Sequence, residues 1–141
     1  MAMTLHCDIV SAEEKIFEGR VETVICEGEQ GELGIKPQHA PLLTRLNPAP
    51  VKLTLQDGSE EVFYVSGGFL EVQPHVVTIL ADTALRADDI DSAAAEKAKA
   101  DAEKVIADKM AEQEFAQVAS DLARAAAQLR TLREFKRRKG R

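Results

Sequence analysis

The sequence predicts an α+β chain of two domains: an antiparallel β-domain of short strands, a sandwich or a barrel, over residues 1–86 and a helical arm over 87–141. Three observations point there. All five prolines and seven of the eight glycines lie at or before residue 74, whereas Leu85 to Lys139 holds neither and is rich in alanine. Short runs of alternating apolar and polar residues fill the first part. A 3–4 apolar stripe runs through the second.

In chain order, Leu5, Cys7 and Ile9 alternate with His6 and Asp8, the period-2 pattern of a strand with one face buried. Val51, Leu53 and Leu55 alternate with Lys52, Thr54 and Gln56. Asp57-Gly58 then supplies residues that tolerate positive φ, and Glu61 to Val65 returns as the second arm of a hairpin. Gly67-Gly68 and Pro74-His75 punctuate two further runs, Phe69 to Val72 and Val76 to Leu80. Many short strands with regular turns fit a sandwich or barrel. The strand–helix alternation of a nucleotide-binding α/β fold is missing.

Beyond the β-domain, Asp88 is the expected N-cap, with Asp89 and Asp91 in the first turn, where the helix dipole favours carboxylates. The first helix, Ile90 to about Ala107, offers mainly alanines with Val105 and Ile106, and small residues permit close packing. A second helix carries the stripe Phe115, Val118, Leu122, Ala125, Leu129 and Leu132, which breaks at Lys136. Asp108 to Glu114 is polar and reads as a turn, yet it contains no obligatory breaker. The arm is therefore either a hairpin or a single helix of about 78 Å at 1.5 Å per residue. It is either a static cap or a switch able to fold and extend.

The net charge of −6 hides an asymmetry: residues 130–141 carry +6 and the preceding 129 residues −12. The acidic bulk repels nucleic-acid phosphate, and a chain with 4% aromatics lacks stacking platforms. The basic end suits an acidic protein surface. Cys7 and Cys26 sit in apolar strand-like contexts, as buried free thiols do. Met1 to Ser11 lacks the pattern of a signal peptide and no run suffices to span a bilayer, so a cytosolic chain is expected, reaching a membrane only through partners.

No enzyme constellation emerges. His6, His39 and His75 stand apart with no ligand spacing, so no metal is expected. Ser66-Gly67-Gly68 lacks the frame of a nucleophile elbow, and no P-loop occurs. Glu27, Glu29 and Glu32 read as a solvated loop. One segment remains: Gly31 to Thr44 combines Gly31, Gly34, Pro37 and Pro41 with Leu33, Ile35, Ala40, Leu42 and Leu43. It is either a buried crossover between sheets or a rigid apolar contact surface.

That segment, G-E-L-G-I-K-P-Q-H-A-P-L-L-T, closely resembles a signature of the epsilon subunit of bacterial rotary proton-translocating ATP synthases. Ser66 to Pro74 (S-G-G-F-L-E-V-Q-P) and Val77 to Ala84 (V-T-I-L-A-D-T-A) resemble two further stretches of that family in the same order, and the alanine- and arginine-rich helix around Leu122 to Leu132 also fits. The resemblance implies a sandwich of about ten strands followed by a two-helix domain. It implies a non-catalytic central-stalk subunit that binds the gamma subunit and the c-ring and couples proton-driven rotation to ATP synthesis, at the cytoplasmic face of the bacterial inner membrane. Glu32, Leu33, Gly34, Ile35, His39, Pro41 and Leu42 are then the expected contacts with gamma and the c-ring.

The resemblance further implies that the helices inhibit ATP hydrolysis when extended toward the alpha and beta subunits of the catalytic head. The expected regulatory residues are Phe115, Val118, Leu122, Arg124, Leu129, Arg130, Leu132, Arg133 and Arg137. Of these, 130, 133 and 137 share one flank of the stripe. Some family members bind ATP through an I/L-D-x-x-R-A motif. Here Ile90-Asp91 begins the motif, but Ala94 stands where the arginine belongs. A missing charge-assisted bond lowers affinity by about ten- to a hundredfold, so no cofactor is expected.

Overall fold

A computed structural model describes residues 3–107 and 112–139. It contains nine strands, β1 Leu5–Ser11, β2 Lys15–Gly28, β3 Gly31–Ile35, β4 Leu42–Leu46, β5 Ala49–Leu55, β6 Glu60–Val65, β7 Gly68–Val72, β8 Val76–Ala81 and β9 Ala84–Arg86. Two helices follow, α1 Ser92–Ala107 and α2 Glu112–Lys139.

The 14-residue β2 organises the sandwich. Its first half pairs with β1, and past an irregularity between Val21 and Thr23 its second half pairs with β5 and β3. A bulge bends and twists a strand, which lets β2 pass from one layer to the other. One layer runs β2-β1-β8-β7-β4 and the other β3-β2-β5-β6-β9. Because β2 serves both layers, nine continuous strands do the work of the ten expected. The pairing is antiparallel as expected except between β1 and β8, which run parallel. Those two strands are distant in sequence, so the chain between them supplies the crossover that a parallel pair needs.

The core between the layers takes the inward phase of each strand: Leu5, Cys7 and Ile9 from β1, Leu70 and Val72 from β7, Val51 and Leu53 from β5. Both cysteines are free and buried. The Asp57-Gly58 hairpin forms with φ +87° at Gly58, and Asp57 Oδ1 accepts from the Ser59 amide at 2.9 Å. Gly68, at φ +137°, lies so close to the backbone of Leu80 and Ala81 that any Cβ would collide with it.

The helical start differs from the expectation. Ala87–Asp89 form a 3-10 turn rather than the first turn of α1, and Asp91, not Asp88, caps the helix. Its Oδ1 accepts from the Ala94 amide at 3.1 Å, and its carbonyl accepts from the Ala95 amide. The delay has a packing cause. Ile90 is held extended and buried in a cluster with Tyr64 and Ala127, supported by Leu85 and Leu132. The expected turn at Asp108–Glu114 begins outside the described residues. Helix α1 packs along α2, and α2 in turn lies across β5 and β6. The arm is a docked hairpin here.

Candidate functional site

Segment 31–44 divides between core and surface. Ile35 is fully buried in the core, and Leu33 and Leu42 are half-buried against it. Ile35 therefore offers no surface to a partner. The chain crosses to the other layer after this strand, through residues 36–41. Glu32 and Gly34 are exposed on β3, and open space surrounds Gly34. The turn that follows is pinned. The Gln38 amide donates to Pro74 O at 2.8 Å with Gln38 itself at φ +67°, a conformation few side-chain-bearing residues adopt. His39 Nδ1 donates to Ala40 O at 2.7 Å, which leaves its Nε2 for other contacts. Ala40 and Pro41 are exposed.

Next to this turn Leu43, already part of the candidate segment, adjoins Phe69 and Leu80, which the sequence reading did not single out as surface. Leu43 is 69% exposed, Phe69 45% and Leu80 49%. Phe69 faces Arg45 on one side and Leu80 on the other in the strand register, and Leu80 faces Val10. The Arg45 guanidinium lies 5.5 Å from the Phe69 ring centre, a cation–π contact that half-covers the ring. The result is an apolar row across the outer face of the β1-β8-β7-β4 layer. A signal for it was present: Phe69 and Leu80 occupy the polar phase of strands whose inward phase is already filled by Leu70, Val72, Val77 and Ile79.

The arm covers the opposite layer. Strand β6 reads Val62-Phe63-Tyr64-Val65, and all four are buried. Phe63 and Val65 face the core, whereas Tyr64 faces α2. Burial raises the Tyr64 phenol above its ordinary range, opposed by a hydrogen bond with Gln128 and by nearby Arg124. Ala127 and Thr131 of α2 are fully buried, and the Thr131 hydroxyl donates to Ala127 O at 2.8 Å, so no polar group is left unpaired there. Small side chains on this strip let the helix approach the sheet closely.

The predicted stripe is divided: Val118 and Ala125 turn to α1, whereas Leu132 joins the Tyr64 cluster on the sheet. Ala125 is buried, Val118, Leu122, Leu129 and Leu132 are half-buried, and Phe115 is 47% exposed. Val118 and Ala125 share an open groove with Ala95, Ala98 and Ala102 of α1. The arginines separate. Arg124 pairs with Asp121 at 3.9 Å on its own helix. Arg130 reaches the β-domain, donating from Nη2 to Glu27 Oε2 at 3.4 Å and to Pro48 O at 3.3 Å. Glu134 bridges Lys52 at 3.7 Å and Arg137 at 3.7 Å. Arg133 is exposed at the edge of a polar cleft of about 170 Å³ that it shares with Glu27, Glu32, Arg130 and Arg137. Ile90 and Asp91, the remnant of the nucleotide motif, serve as a packing residue and a helix cap.

These features describe a sandwich with an apolar row on one outer face and a helical arm docked on the other. Residues 4–87 match the family described as ATP synthase, Delta/Epsilon chain, beta-sandwich domain, and residues 88–133 match its long alpha-helix domain. The chain belongs to the ATP synthase delta/epsilon family, as an epsilon-type, non-catalytic subunit of that complex. Among solved structures it is similar to a chain of the Euglena gracilis mitochondrial ATP synthase (OSCP, F1 and c-ring). The TM-score is 0.79 at 21% identity, covering 88% of this chain and 78% of that one. A chain of the Tetrahymena thermophila mitochondrial ATP synthase central stalk and c-ring matches with TM-score 0.50 at 13% identity, covering 62% and 69%. No helix among the described residues is long and apolar enough to cross a membrane.

Proposed function

We propose that this chain is the central-stalk subunit that links gamma and the c-ring, coupling proton-driven rotation to ATP synthesis, and that its helical arm restrains ATP hydrolysis when it leaves the sandwich for the alpha and beta subunits. The reading rests on family membership and on one observation. The apolar row of Leu43, Phe69 and Leu80 is open on one layer while the arm packs on the other, so arm release leaves the row untouched. Docking and arm meet at Glu32, which lines a cleft with Arg130, Arg133 and Arg137. Both solved relatives come from assemblies that include a c-ring. Gamma covers the row together with the pinned turn bearing His39 and Pro41, and Glu32 and Gly34 face the c-ring. The chain then sits at the cytoplasmic face of the bacterial inner membrane through its partners.

The subunit holds no cofactor and does not sense ATP. Asp91 Oδ1 is already engaged by the Ala94 amide, and Ala94 offers no cation. Calorimetric titration with ATP is expected to give no heat of binding at concentrations below about 1 mM.

The decisive test uses catalytic heads that lack this subunit. ATP hydrolysis is measured after adding back either the full chain or one ending at Arg86. Inhibition by the full chain alone makes the helices a brake. Equal rates with both would overturn the inhibitory role and leave coupling and assembly.

A further inference from the structure

We propose that the outer face of β1 and the start of β2 carry a binding site for a divalent transition ion such as Zn²⁺, held by His6, Asp8 and Glu18. The three residues meet through the sheet. His6 and Asp8 share the outward phase of β1, because Leu5, Cys7 and Ile9 between them are fully buried on the inward side. Glu18 lies directly across from Asp8 in the β1–β2 register. His6 Nε2 is 3.1 Å from Asp8 Oδ1 and 3.6 Å from Glu18 Oε2, and one donor atom from each residue falls within 4.8 Å of the other two.

Those separations suit a first-row ion. Bonds of about 2.0–2.2 Å to nitrogen and oxygen at tetrahedral or octahedral angles hold neighbouring donors about 3.0–3.6 Å apart. An imidazole with two carboxylates is a mixed nitrogen–oxygen set, which favours Zn²⁺ over Ca²⁺, Mg²⁺ and Mn²⁺ with their preference for oxygen. The side chains are 37%, 21% and 51% exposed, so water can complete the coordination.

Lys15 is the competitor. Its Nζ lies 3.0 Å from Glu18 Oε2 and 3.8 Å from Asp8 Oδ1, compensating the two carboxylates that the cross-strand register sets side by side. An exposed pair of this kind is weak, and displacing it lowers metal affinity by no more than about fivefold. The half-exposed lysine has solvent to move into. A bound ion would staple β1 to the head of β2, on the same outer face as Val10 and Leu80.

Zinc chloride titrated calorimetrically into the full chain, in a non-chelating buffer, tests this. The expected result is saturable one-to-one binding. His6→Gln and Asp8→Asn each weaken it by at least about tenfold, whereas Lys15→Met leaves it intact or strengthens it up to about fivefold. All three positions are on the surface, and thermal melts without metal confirm that the variants fold. Absence of saturation by roughly 1 mM Zn²⁺, or binding that survives either ligand substitution, would overturn the site.

Discussion

Ala127→Leu should release the arm from the sandwich more effectively than removal of any single ion pair. Ala127 is fully buried where α2 meets Tyr64 and Ile90, with Leu85 and Leu132 completing the cluster. Three added carbons have no void to enter, and overpacking of this kind costs about 1–3 kcal/mol. At 1.4 kcal/mol per tenfold, the docked population falls about 5- to 150-fold relative to the released one. Leucine is a good helix former, so α2 itself survives the change. The comparison is Glu27→Gln, which cuts the Arg130 contact. That pair is 43% and 34% exposed, and its 3.4 Å separation is long for a charge-assisted bond. Such a pair contributes about 0–1 kcal/mol, at most about fivefold, and less in salt. Packing should win. Energy transfer between dyes at Gln56→Cys and Lys136→Cys reports the distance from arm to sheet, because buried Cys7 and Cys26 stay unlabelled. Unchanged transfer in Ala127→Leu, or a larger change in Glu27→Gln, would refute this ranking.

Three further outcomes are expected. Leu80→Lys places a charge in the exposed row and should weaken assembly with the stalk by at least about tenfold, as for a central interface residue, while leaving the isolated chain's melting temperature unchanged; pull-down and a thermal scan read the two effects. Gly68→Ala forces a Cβ into the Leu80 backbone at φ +137°, and chemical unfolding should show a loss above about 3 kcal/mol. Burial pushes both thiols up to about 12 from 9.0, with Asp8 adding to the shift at Cys7 and Glu32 at Cys26. The unfolded chain therefore sheds these protons from about pH 9 while the folded chain keeps them. Stability should fall as pH rises from 9 toward 12, and a Cys7→Ala/Cys26→Ala variant should flatten that slope in urea titrations at fixed pH.

The change from strands to helices was legible because backbone chemistry changes there: proline and glycine stop before the helices begin. Strands with one covered face were legible too, since alternation in β1 and β5 maps directly onto burial. Strand β6 was harder. Its unbroken Val62-Phe63-Tyr64-Val65 run signals cover on both sides, but only the fold says that α2 provides the second cover. The helix start was misjudged because three aspartates of similar capping strength compete, and the burial of Ile90 selects Asp91. The α2 strip at Ala127 and Thr131 escaped notice because neither residue looks like an anchor. Small size, not hydrophobicity, suits them to a tight contact. The His6, Asp8 and Glu18 cluster has no spacing to detect, since it is made by register between strands.

The charge asymmetry takes on a sharper meaning in the folded arm. Arg130 of α2 meets Glu27 of the β-domain, whereas Glu134 of α2 meets Lys52 of β5 and Arg137 of its own helix, so the pairs between arm and sheet run in both senses of charge. Each contact is exposed and individually weak. The arm is held by the cluster of Tyr64, Ile90, Ala127 and Leu132, and its ion pairs are ones that water can replace, so the proposed release would strand no desolvated charge. Deep burial of Arg130 would have fixed it in place, because withdrawing one member of a desolvated pair costs several times more than breaking an exposed one. The same reasoning ranks two surfaces for Arg130: the acidic strip with more carboxylates within a Debye length, about 8 Å at physiological salt, holds the arm more strongly. Raising salt should weaken the Arg130–Glu27 pair while leaving the packing of Tyr64 on Ala127 untouched, so salt shifts the arm less than Ala127→Leu does.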